Sequence, residues 1–98
     1  MKNLVLFFSI SILSISTLIA KTITGKVTDN EGMPLPGTRI IIKGTNTGTQ
    51  TDFDGKYTLE AKTGDVLIFS YIGFTTQTIK VKKQSVIDIK MTASSQLE

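Results

Sequence analysis

From residue 21 onward, apolar side chains recur at every second position. Ile23, Gly25 and Val27 point one way, while Thr24, Lys26 and Thr28 point the other. Ile40 and Ile42 alternate with Arg39, Ile41 and Lys43, and Tyr57 and Leu59 alternate with Lys56, Thr58 and Glu60. The same holds for Ile79 and Val81 among Thr78, Lys80 and Lys82, and for Ile87, Ile89 and Met91 around Asp88 and Lys90. A period of two with β-branched and aromatic residues predicts half-buried strands. The run VLIFSYI, 66–72, is apolar on both faces and predicts a central strand covered on each side or nearly so. Turn signals separate these runs: DNEG at 29–32, PLPG at 34–37, GTNTG at 44–48, DFDG at 52–55, TGD at 63–65, and Gly73. The rhythm predicts an all-β sandwich of six or seven strands in two antiparallel sheets. Thr45, Thr47, Thr49 and Thr51 suggest an extended, exposed stretch.

The first twenty residues differ from the rest. Lys2 forms a short positive region, Leu4 to Ile15 carry no charge, and Ser16 to Ala20 are small or mildly apolar. This is the layout of a helical secretory signal peptide, with Ala20 at the −1 position and Leu18, larger than ideal, at −3. The competing reading is an uncleaved anchor. Against it, the apolar stretch is near the lower length limit for spanning and is diluted by Ser9, Ser11, Ser14, Ser16 and Thr17. The expected organisation is a leader at 1–20, a sandwich at 21–92, and the start of a truncated linker at 93–98. Export points to an oxidising compartment, yet the chain has no cysteine. Its stability must therefore come from packing, with no disulfide.

Eleven Lys and Arg against eight Asp and Glu give a net charge of +3, and one of the eleven is the leader's Lys2. Lys80, Lys82 and Lys83 form the only cluster in the sequence, and the rest is interspersed. This pattern argues against a nucleic-acid partner, whose footprint is a basic face, and suits lysines that guard a strand edge.

Candidate chemistry is sparse. The absence of histidine removes the commonest general base and zinc ligand, and the absence of cysteine removes a thiol nucleophile. No serine stands in a G-x-S-x-G elbow. The carboxylates Asp29, Glu31, Asp52, Asp54, Glu60, Asp65 and Asp88 fall in turns or on outward strand positions, without the apolar pocket that raises a catalytic pKa. TDFDGKY, 51–57, resembles the opening of a calcium loop. However, Gly55 comes one ligand early, and Ala61 stands where the loop needs a glutamate. A tight turn accounts for all its residues: Asp54-Gly55 is expected to supply the reversal, with Gly55 at positive φ and Asp54 capping its own turn, and Phe53 and Tyr57 flank it. Phe69, Tyr71 and Phe74 read as core residues, with Phe74 partly exposed at a bend. A sugar-stacking face is the alternative. No catalytic, cofactor-binding or metal-ligating residue is expected, and no cofactor.

Residues 23–81 resemble the carboxypeptidase-regulatory-like (CarboxypepD_reg-like) domain, as found at the N-terminus of TonB-dependent outer-membrane receptors of the SusC/RagA type. The pieces that carry the likeness are I-x-G-x-V at 23–27, PLPG at 34–37, KGT-x-x-GT at 43–49, TD-x-DG-x-Y at 51–57 and SYIGF at 70–74. The resemblance implies a seven-stranded prealbumin-like (Ig-like) sandwich and a non-catalytic accessory role through protein–protein docking. The implied partners are the receptor's plug and barrel and components of the TonB system, on the periplasmic side of the outer membrane. In such receptors a short linker and a TonB-binding segment follow, and this chain stops at Leu97-Glu98, where that segment would begin. The expectation is a receptor fragment that meets a membrane only through a barrel it does not itself contain. The alternative is a stand-alone secreted or cell-surface module for glycan binding or adhesion.

Overall fold

A computed structural model describes residues 19–94, all seven of its elements being strands. The expected leader helix lies outside the described residues. The strands are β1 (Lys21–Thr28), β2 (Arg39–Ile42), β3 (Gly48–Gln50), β4 (Lys56–Ala61), β5 (Val66–Ser70), β6 (Gln77–Lys80) and β7 (Ile89–Lys90). They form a three-stranded sheet in the order β4-β1-β7 and a four-stranded sheet in the order β3-β2-β5-β6. This is the two-layer sandwich that the alternation predicts.

The register puts like with like. Ile23 stands opposite Leu59 and Gly25 opposite Tyr57 in one sheet, and Ile40 opposite Phe69 and Ile42 opposite Leu67 in the other. The inner faces of both sheets meet in one core, which also takes in Val27, Ala61, Val81, Ile87, Ile89 and Met91. The rings of Tyr57 and Phe69 join the layers edge to face, with centroids 5.6 Å apart and planes at 77°.

Three details differ from the sequence reading. β5 is central, but only Leu67 and Phe69 are buried; Val66, Ile68 and Ser70 are half-covered, because nothing described here packs on that sheet's outer face. The threonine run is not one extended exposed stretch: Thr45 closes the turn between β2 and β3 with its hydroxyl on the Ile42 carbonyl, and Thr51 is buried. Most pairings are antiparallel, but β7 returns parallel to β1, with Val27 opposite Ile89 and Thr28 opposite Lys90.

That parallel return has one irregular rung. Thr24 N–H donates to the Ser85 carbonyl and Ile87 N–H donates back to the Thr24 carbonyl, so a regular ladder would next join Lys26 N–H to the Ile87 carbonyl. Instead the Ile87 carbonyl turns inward and accepts the Tyr57 hydroxyl at 2.7 Å. The Asp88 carboxylate replaces it, accepting Lys26 N–H at 2.9 Å. The inward carbonyl needs room, and Gly25 provides it. A Cβ there would sit 1.9 Å from the Ile87 oxygen and 2.9 Å from the Tyr57 ring. The glycine of I-x-G-x-V and the tyrosine of TD-x-DG-x-Y therefore serve a single contact.

Gly25→Ala is expected to lower the unfolding free energy by about 3 kcal/mol, since the clash is with backbone that cannot swing away. Tyr57→Phe leaves the Ile87 carbonyl unpaired and is expected to cost ~1–3 kcal/mol. Urea unfolding measures both. A Gly25→Ala chain as stable as the parent would contradict the contact described here.

Candidate functional site

The stretch that resembles a calcium loop is a capped turn, but the cap is Asp52 rather than the expected Asp54, because only the residue that opens the turn can reach the amides two and four positions on. Asp52 Oδ1 accepts the N–H groups of Asp54 at 2.9 Å and Lys56 at 3.0 Å. Asp52 N–H donates to the Lys56 carbonyl, and Gly55 N–H donates to the Asp52 carbonyl. Gly55 has φ 77°, which a side chain would strain, and a Cβ there would also lie 2.6 Å from the Val27 carbonyl. The DNEGM turn repeats this pattern bond for bond. Asp29 Oδ1 accepts the N–H groups of Glu31 and Met33, Asp29 N–H donates to the Met33 carbonyl, and Gly32 N–H donates to the Asp29 carbonyl. Asp65 likewise caps its own turn, accepting Lys62 N–H at 2.9 Å. These carboxylates face backbone amides rather than one another. Among the described residues, no three His, Cys, Asp or Glu side chains gather as a metal site would need.

Between the two twin turns, the PLPGT segment is fastened by two buried hydroxyls. Thr38 N–H donates to Thr51 Oγ1 at 2.9 Å, and the hydroxyls of both threonines donate to the Leu35 carbonyl. Leu35 itself is buried and bonds through its N–H to the Val27 carbonyl. The sequence reading missed Leu35 and Thr38, which belong to no alternating run, and it placed Thr51 in an exposed threonine stretch although the residue is buried.

On the other sheet, the SYIGF segment leaves β5 at the same end of the sandwich. The last described residues return there: Thr75 N–H donates to the Thr92 carbonyl, and Ser94 N–H donates to the Gly73 carbonyl. The chain therefore exits beside Ile72 and Gly73. Tyr71 and Phe74 are half-buried, packed on the core and tilted at 49° to each other, with centroids 5.8 Å apart. They do not form the flat platform that sugar stacking needs. The side chains left in solvent at this end are Phe53, 90% exposed, and Ile72, 87% exposed, with Met33 nearby on the twin turn. Gly37 lines both a hollow beside Tyr71 and Ile72, shared with Arg39 and Ser70, and a hollow beside Pro36 and Phe53, shared with Thr51 and Asp52, so Phe53 and Ile72 flank one end with polar residues between them.

The titration of one group in the fold is strongly shifted. Burial, and secondarily the negative charge of Asp88, push the Tyr57 phenol far above its ordinary 10.0. It is a neutral donor to the Ile87 carbonyl.

Comparison with known proteins places these features. The profile of the CarboxypepD_reg-like domain matches residues 23–98. TonB-dependent receptor P26 of Formosa agariphila is 46% identical over 83 residues, which are 85% of this chain and 8% of that protein. TonB-dependent receptor SusC of Bacteroides thetaiotaomicron is 44% identical over 69 residues, 70% of this chain and 7% of the receptor. The chain thus spans less than a tenth of the length of these relatives. In fold it resembles a chain from a mutant type II Cohesin-X-Dockerin complex of Acetivibrio cellulolyticus. That likeness has a TM-score of 0.62 and 17% identity, covering 74% of this chain and 57% of the other.

Asp52→Ala is expected to destabilise the chain by ~1 kcal/mol and Asp54→Ala to have little effect, because only Asp52 caps the turn. Calcium in place of a chelator is expected to leave the melting temperature unchanged, and a rise would restore the metal reading. Tyr57 generates a pH dependence. Its unfolded form loses its proton near pH 10, whereas the folded form keeps it, so the unfolded state binds fewer protons and stability falls as pH climbs past 10. Lysine titration is common to the parent and Tyr57→Phe. The parent's stability advantage over that variant should therefore shrink between about pH 9 and about pH 11 in urea titrations.

Proposed function

The chain belongs to the CarboxypepD_reg-like domain family, and we propose that it serves as a non-catalytic accessory domain at the N-terminus of a TonB-dependent outer-membrane receptor. In this reading the leader at 1–20 is removed on export, the sandwich occupies 21–92, and the domain stands on the periplasmic side of the outer membrane. It acts by docking rather than by chemistry. The absence of histidine and cysteine and the use of turn carboxylates as backbone caps support a non-catalytic role.

The observation that carries the docking reading is the coincidence of the chain's exit with its exposed apolar end. Ser94 is bonded to Gly73, next to Ile72, and Phe53 lies across the same end. Whatever follows the domain in a receptor emerges against this surface at high effective concentration, so even a modest apolar contact is populated. The twin turns and the Thr38–Thr51 pair hold the surface rigid, which lowers the entropy lost on docking. The glycan-binding alternative gains nothing from the tilted, half-buried Tyr71 and Phe74.

The test is a chimera in which residues 23–94 replace the matched segment of SusC, with a photo-cross-linking residue at position 72 or 83. Cross-links to the receptor body are expected from position 72 and not from position 83. Ile72→Asp combined with Phe53→Asp, read from a cross-linker at Met33, should reduce the cross-linked fraction about tenfold or more. Cross-links from position 83 alone would reject the orientation, and none from either position would reject docking.

A further inference from the structure

The charges are interspersed along the sequence, but the fold sorts them to two ends. Lys21 opens β1 opposite Ala61, and Lys62 follows β4. Lys43 follows β2 and donates its N–H to the Val66 carbonyl, while Lys80 stands opposite Val66 at the close of β6. Lys82 and Lys83 come next, and the Lys82 carbonyl accepts both the Lys21 ammonium and the Thr63 hydroxyl, which joins the two sheets there. Six lysines thus meet at the end opposite the apolar surface. Among the described residues, two carboxylates accompany them: Asp65 caps its own turn, and Glu60 accepts the Thr22 hydroxyl. Asp29, Glu31, Asp52 and Asp54 lie toward the apolar end, balanced there by Arg39, Lys56, Lys26 opposite Lys56, and Lys90 opposite Thr28.

We propose that this lysine-rich end is a second docking surface, and that its partner is an acidic polypeptide segment. Protection of a strand edge explains Lys80, on edge strand β6, but not Lys43, Lys62, Lys82 and Lys83, which lie outside the strands. All five of these side chains are exposed, so their charge faces solvent and raises the local concentration of an anionic partner. A nucleic acid is disfavoured because the exposed or half-exposed aromatic residues, Phe53, Tyr71 and Phe74, are at the other end, leaving no platform for bases. The single arginine, Arg39, is also at the other end, so no guanidinium fork is present for a phosphate. The choice of polypeptide over lipid rests on the receptor reading above. With the apolar end against the receptor, the lysine end points away from the bilayer holding it and toward proteins of the periplasm.

The test uses the exported chain purified from the periplasm of an expression host. A short fluorescent oligoglutamate is titrated by anisotropy, with phosphatidylglycerol vesicles and inorganic phosphate as separate arms. Saturable binding of oligoglutamate is expected, falling about tenfold from low to physiological ionic strength. Combined Lys43→Glu, Lys62→Glu and Lys83→Glu should weaken it about tenfold or more. The same charge change made by Arg39→Glu, Lys56→Glu and Lys90→Glu should leave it within about twofold, with circular dichroism confirming that each variant is folded. If the triple lysine variant does not fold, the three single reversals are read instead, each expected to weaken binding about twofold or more. Absence of binding, equal losses from both sets, or binding of vesicles or phosphate without oligoglutamate would each overturn the proposal. The cross-linking experiment reads the opposite end, so either proposal can fail alone.

Discussion

The fold turns on one close approach: the backbone at Ile87 lies against Gly25, with the Tyr57 ring beside both. The last segment of the sandwich must come back parallel to the first strand, and a parallel ladder at this point would leave the tyrosine hydroxyl buried without a partner. Turning the Ile87 carbonyl inward satisfies the hydroxyl, and the Asp88 carboxylate fills the vacated rung. A buried polar atom left unpaired costs about as much as a good core contact contributes, so the exchange is stable only when all three groups are present. The arrangement also places the Tyr57 ring where it meets Phe69 edge to face and so ties one sheet to the other. Residues far apart in the sequence, in the first strand, the fourth and the closing segment, depend on a position where a single methyl group would not fit.

The same economy governs the turns. Asp29, Asp52 and Asp65 each hold backbone amides of their own loop, and Thr38 and Thr51 hold a loop that would otherwise bury an unpaired carbonyl. In a chain without disulfides, these bonds keep the loops in one conformation. A rigid loop end can expose Phe53 and Ile72 without collapsing over them. Rigidity lowers the entropy lost on contact and exposed apolar surface supplies the contact, which fits the docking role proposed for the domain.

The sandwich is also polar along its length. The apolar, acid-bearing end is where the chain leaves, and the lysine end is where it enters. At the exit end the carboxylates stand among basic side chains, with Lys26 opposite Lys56 and Lys90 opposite Thr28, whereas the other end is lysine-rich, so an anionic partner is drawn to one end more than to the other.

The period of two was enough to find most of the strands, because each inward side chain had to fall on the core face of a pleated segment: Ile23, Val27, Ile40, Tyr57 and Leu59 are all buried as the alternation requires. The turns were equally legible, because Asp and Gly adopt their conformations through local bonds. The Thr38–Thr51 pair and Leu35 were not legible, since their burial comes from neighbours in space and leaves no periodic trace. The parallel return of β7 and the inward carbonyl of Ile87 depend on contacts between residues 30 and 62 positions apart, which no local pattern records. The same holds for the lysine end. Six residues scattered from position 21 to position 83 become one surface only when strand register brings both ends of the chain's hairpins together. The sequence alone determined which residues turn inward and where the chain reverses, because those depend on near neighbours. The tertiary structure alone decided which distant residues share a surface, because that depends on how the two sheets close.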